Sequence, residues 1–115
     1  MWVIVKVNSS VIVGECVAWD GSQYSHASSL ATPLGVVIET PTLDDDTSEY
    51  YAPVQFAGIA WAKASRDIPN EGGELMVESG GVYVDNSADG AGIIAPLSRG
   101  QDARVSNDLV MIHIR

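Results

Sequence analysis

Residues 54–84 read VQFAGIAWAKASRDIPNEGGELMVESGGVYV, with glycine at each change of direction. The apolar runs are only a few residues long and are separated by Gly, Pro, Asn, Asp and Ser. Such runs are too short for ordinary helices and fit strands joined by tight turns. The stretch contains no histidine, no cysteine and no nucleophile–base pair. It reads as architecture without a reaction centre.

The rest of the chain follows the same pattern. Strands are predicted over 2–7, 11–19, 34–39, 50–64, 75–79, 82–85, 93–97 and 109–115. The segment 50–64 is either one long strand or two joined by a kink. Residues 23–32 read as a loop or a frayed extension of the strand before, and 41–49, 86–92 and 98–107 as loops. Gly80-Gly81 predicts the hairpin turn between 75–79 and 82–85. Alternation puts Val54 and Phe56 on one face but Ile59 and Trp61 on the other. A bulge or sharp bend at Ala57-Gly58 would return all four to one face. In the last strand Val110, Ile112 and Ile114 share one face; Met111, His113 and Arg115 share the other. Trp19 and Trp61, placed within strands, are expected in the core.

Two pairs of segments echo each other. Gly14-Glu15-Cys16-Val17 resembles Gly73-Glu74-Leu75-Met76-Val77, and Gly35-Val36-Val37-Ile38 resembles Gly58-Ile59-Ala60-Trp61. The echoes do not fall in the same order, so no true repeat is expected. With 115 residues, the expectation is one domain spanning the chain. Its fold class is all-β: a compact barrel or sandwich of about seven to nine short strands with little or no helix.

Charge narrows the partners. Six Lys and Arg stand against 15 Asp and Glu, a net charge of −9. A surface of that sign repels phosphate backbones and anionic bilayers, so neither nucleic acid nor membrane is an expected partner. It favours dispersal at high local concentration. The opening residues lack the basic start and cleavage site of a signal peptide, and none is expected. A single cysteine, Cys16, rules out an internal disulfide and reads as a small buried hydrophobe.

No catalytic constellation emerges. Asp44-Asp45-Asp46 with Glu49 offers hard oxygen ligands, but consecutive acids do not converge on one ion, and a solvated loop is the preferred reading. Residues 85–90, DNSADG, open like a calcium loop, yet Pro96 stands where a bidentate glutamate belongs. Cys16 with His26 is the only thiol–base pairing worth checking. His26 and His113 read as surface or packing residues. No catalytic residue, metal ligand or cofactor is therefore expected, and the chain does not read as an enzyme. Adjacent Tyr50 and Tyr51 face opposite ways in a strand, so one of them is exposed. Trp2, Tyr50, Tyr51 and Arg66 are the candidate partner-binding residues, since Trp, Tyr and Arg are the usual interface anchors.

The run AGIAWAKASRDIPNEGGELMVESGGVYV resembles the small β-rich head decoration, or cement, proteins of tailed bacteriophages. The likeness rests on Ala57-Gly58-Ile59-Ala60, on Ile68 with Gly72, on Val77 with Gly81-Val82, and on Pro33-Leu34-Gly35-Val36 upstream. It covers about half the chain, through short glycine-driven motifs. It implies a non-catalytic structural protein of the virion, made in the host cytoplasm and bound to the outside of an assembled capsid. The implied partner is the major capsid protein. A homo-oligomer is also implied, a trimer ahead of a dimer. The competing reading from the residues is a phage tail, fibre or other β-sandwich module that recognises a receptor or glycan.

Overall fold

The computed structural model describes residues 1–28, 33–65, 75–84, 94–95 and 109–114. These form eleven β-strands and no helix. In the first half lie β1 (Trp2–Val7), β2 (Cys16–Trp19), β3 (Tyr24–His26), β4 (Gly35–Val37), β5 (Thr42–Asp44) and β6 (Glu49–Gln55). In the second lie β7 (Gly58–Lys63), β8 (Leu75–Glu78), β9 (Gly81–Val84), β10 (Ile94–Ala95) and β11 (Leu109–Ile114).

The first sheet runs β1-β3-β2-β4-β6, and β1 also pairs along β6, which closes a five-stranded barrel with β5 added outside. The second sheet runs β7-β11-β10-β8-β9. Just past the end of β7, a parallel bridge from Ala64 to Val82 brings its two outer strands together. The two sheets therefore share one topology. In each, the first strand lies parallel to the third and antiparallel to the fifth; the second pairs antiparallel with the third and the fourth; the fourth pairs antiparallel with the fifth. This corrects the expectation that no repeat exists. The Gly14-Glu15 echo leads into β2, and its counterpart leads into β8, the equivalent strand. The other echo joins β4 to β7, which are not equivalent.

Several boundaries differ from the sequence reading. Tyr24–His26 and Thr42–Asp44, read as loop, are strands, because backbone pairing to neighbouring strands outweighs their polar side chains. Residues 11–15 are a turn and not part of β2. The β8–β9 turn sits on Ser79 and Gly80, whose φ values of 48° and 82° suit a two-residue hairpin. That is one residue earlier than Gly80-Gly81. The predicted bend is found: β6 ends at Gln55, β7 starts at Gly58 with φ of 90°, and the two strands join different sheets. The side chains do not share one face, however. Ala60, Ala62 and Ala64 point into the core, while Ile59 and Trp61 point out. Trp61 and Trp19, expected inside, are 51% and 59% exposed. The bend sets the register that puts alanines inward on β7. On β2, Val17 fills the barrel, and Trp19 lies at its end, edge-to-face on Tyr24.

Two apolar clusters follow from strand alternation. Val7, Val11, Val17, Val37, Ala52 and Val54 fill the first barrel. In the other cluster Cys16, Ala18, Ala27 and Val36 of the first half meet Leu75, Val110, Ile112 and the alanines of β7. On β2, Val17 faces its own barrel while Cys16 and Ala18 face the second sheet. The halves are thus joined through a shared core. Gly35 permits the close approach of β4 to β6: a Cβ there would overlap the Gln55 carbonyl. We expect Gly35→Ala to lower unfolding free energy by about 1–3 kcal/mol, as overpacking does, read from urea denaturation at unchanged m-value.

Candidate functional site

Every residue of β1 except Lys6 is apolar. A strand with two apolar faces is ordinarily covered on both sides. Here the inward face, Val5 and Val7, packs in the barrel, whereas Trp2 and Ile4 on the outward face are each 59% exposed. Register places Trp2 beside Gln55, Ile4 beside Pro53 and Lys6 beside Tyr51 on β6. On the far side of β6 the chain runs from β4 into β5 through residues 38–41, which stand opposite Ala52 and Pro53. The Ile38 amide donates to the Pro53 carbonyl at 3.1 Å.

Together these strands form an open groove of about 410 Å³. Trp2, Ile4, Ile38, Ala52 and Pro53 supply its apolar lining, and Glu39, Thr42 and Tyr51 its polar lining. Lys6 Nζ lies 3.0 Å from Glu49 Oε1 at the groove's end, and the Tyr51 hydroxyl donates to Glu49 Oε2 at 3.4 Å. Asp44, Asp45 and Asp46 follow directly along β5, and Asp44 Oδ1 accepts the Asp46 amide at 2.9 Å. That turn is the solvated acidic loop that the sequence suggested.

Of the four candidate partner-binding residues, the structure brings Trp2 and Tyr51 together in this groove. Tyr50 points the opposite way and packs against the first barrel's core, so it does not belong to the face. Arg66 lies outside the described residues, as do the DNSADG segment and residues 98–107. Ile4, Ile38 and Pro53 were not singled out from sequence, because nothing in a strand's alternation says which face will be covered.

The second half repeats the arrangement. On β7 and β11 the outward positions are Ile59, Trp61 and Lys63 beside His113, Met111 and Leu109. Ile59, Trp61 and Leu109 are all exposed. The large residues of β7 thus point to solvent and its alanines to the core. Gln55 links the two faces: its Nε2 donates to the carbonyls of Ala57 at 3.0 Å and Ile59 at 2.6 Å.

A second constellation, also missed in the sequence reading, lies between the halves. Glu15 is 4% exposed, a buried acid in the apolar run VIVGECVAW. Its Oε1 accepts the Ile12 amide at 2.8 Å and lies 3.0 Å from His26 Nε2; its Oε2 is 3.9 Å from Lys63 Nζ. Backbone bonds cross the same junction, from Cys16 N to Gly80 O at 2.7 Å, Gly80 N to Ala27 O at 2.9 Å and Lys63 N to Gly14 O at 2.7 Å. A Cβ on Gly80 would sit 3.0 Å from Glu15 Oε2, so glycine leaves the carboxylate its room.

This junction is built for cohesion. Cys16 is fully buried, and burial, reinforced by the neighbouring Glu15 carboxylate, pushes its thiol up from 9.0 to about 12. A buried neutral thiol is a poor nucleophile. His26 engages Glu15, and no hydrogen bond joins it to Cys16. No group of three or more His, Cys, Asp or Glu side chains able to hold a metal occurs among the described residues. At the β2–β3 turn, Asp20 accepts from Ser25 Oγ at 2.6 Å and from the amides of Ser22 and Gln23. These bonds hold its carboxyl well below the usual range and stabilise the turn. No family model, curated protein or solved structure matches the chain.

Two outcomes are expected. Glu15→Ala removes the acceptor of the Ile12 amide and the partner of His26 and Lys63, and should cost about 1–3 kcal/mol in chemical denaturation. Cys16 should resist a disulfide-exchange reagent at pH 8 in the folded protein and react in 8 M urea, conditions chosen by the usual thiolate rule. The raised thiol pKa also fixes a sign. Its contribution to stability is complete below the unfolded thiol's pKa and is lost as pH rises from about 9 towards 12. That decline should be absent from Cys16→Ala.

Proposed function

We propose that the chain is a structural virion protein, a decoration protein that binds the outer surface of a phage head and stabilises the shell. The observation that carries this reading is the uncovered apolar face of β1 and β6, built on a closed barrel and echoed on β7 and β11. Monomeric soluble proteins seldom leave such strands bare, and contiguous exposed apolar surface marks interaction sites. The short motifs shared with head decoration proteins supply the kind of partner, the major capsid protein. Net negative charge suits a particle that must stay dispersed. Modest contacts repeated over a symmetric shell, with the chain as a trimer, add up through multivalency.

A second reading has one observation in its favour. Trp2 and Tyr51 share the groove with Glu39 and Thr42, an aromatic and polar mixture that a tail or fibre module could use to hold a glycan.

The two part in a single experiment. Purified chain is mixed with undecorated heads assembled from the major capsid protein of the same genome, and pelleting is followed against concentration. Saturable binding with added density on the outer face is the expected result, weakened at least about ten-fold by Ile4→Asp, the cost of losing a buried anchor. Absence of binding to heads, with saturable binding to an immobilised glycan, would overturn the decoration reading.

A further inference from the structure

The groove on β1 and β6 has one apolar floor and one acidic bank. Glu39 lines it, and Asp44, Asp45 and Asp46 continue from Thr42 at its edge. Lys6 is the one base in residues 1–62, which hold seven acids, and it is already paired with Glu49. The bank carries no other ion pair with a described residue. An occupant must therefore offer apolar side chains for Trp2, Ile4, Ile38 and Pro53 and positive charge for the acids.

A second copy of this chain fits poorly. Two such grooves set face to face would bring acid against acid, and like charges across an interface are disfavoured. An anionic lipid surface is repelled for the same reason. A neutral glycan could stack on Trp2 and Tyr51, yet it would bring no positive charge for the acids.

We infer that the groove binds an extended segment of the partner protein in which apolar residues are flanked by Lys or Arg. This rests on the reading of the chain as a binding protein and names what its partner presents. The apolar residues supply affinity and the basic flanks supply orientation and rate of encounter. Part of the attraction is between exposed charges, so salt weakens it.

The probe is an array of immobilised nonapeptides of varied sequence, read with the labelled full chain. Bound peptides are expected to be enriched in Lys or Arg next to two or more apolar residues. Their Glu-flanked and Ser-cored counterparts should bind at least ten-fold less, the loss expected when a charge partner or an apolar anchor is removed. Ile4→Asp and Trp2→Ala, both at exposed positions, should abolish the signal while keeping the wild-type melting curve. Trp19→Ala, at an exposed position outside the groove, should leave it intact.

Absence of binding, acidic or composition-independent binders, or binding that survives Ile4→Asp would overturn the inference. So would concentration-dependent self-association abolished by Ile4→Asp, which would make a second copy the occupant. Heads still bound by the Ile4→Asp variant would refute the groove while leaving the decoration reading standing. Loss of head binding by the wild-type chain alongside a positive array would do the reverse.

Discussion

The fold turns on a buried carboxylate. Glu15 sits where β2 of the first barrel meets the β8–β9 turn of the second sheet, and its two oxygens hold Ile12, His26 and Lys63 from separate segments. An acid in that position is costly unless it is partnered, so each partner must be in place for the others to be tolerated. The three backbone bonds across the junction need the same alignment, and the shared core of Cys16, Ala18 and Val36 with the second sheet closes around it. Neither half could slide on the other without leaving a buried charge or an unpaired amide.

That arrangement explains why a duplicated topology did not become two separate beads. Each half closes its strands in the same order, yet the outer side of β2 and β4 is apolar and serves as the second half's wall. What remains outward is the face of each half's first and fifth strands. The exposed parts of these two faces match in chemistry, Trp2 and Ile4 on β1 and Ile59 and Trp61 on β7, whereas Lys63 turns back to Glu15 at the junction. Gln55 fixes the bend between them. The fold thus spends its covered surface on cohesion and presents its remaining apolar side chains on rigid strands, where a partner would meet them pre-organised.

Much of this was legible in the sequence wherever one residue's neighbours decide its fate. All-β architecture, the inward set Val110, Ile112 and Ile114, the bend at Ala57-Gly58 and the buried Cys16 all follow from local alternation and glycine. Elements that depend on distant partners were not. Tyr24–His26 and Thr42–Asp44 are strands because β1, β2 and β6 pair with them, not because of their own side chains. The duplication is masked because equivalent positions share burial and pattern more than identity, as with Val17 and Leu75. For the candidate site, the anchors Trp2 and Tyr51 could be named from residue type. Tyr50 was separable from Tyr51 only by knowing which face is the barrel's interior. Glu15 had one signal, a lone acid in an apolar run, and that pattern also fits a turn.

On the proposed reading the chain works through its exposed β1–β6 face. Side-chain footprinting with hydroxyl radicals, performed on the free chain and on the chain bound to heads, tests this most directly, because Trp and Tyr report their own solvent exposure. Trp2 and Tyr51 should lose reactivity on binding while Trp19, at the opposite end of β2, keeps it. Equal reactivity of Trp2 in the free and bound chain would contradict the account.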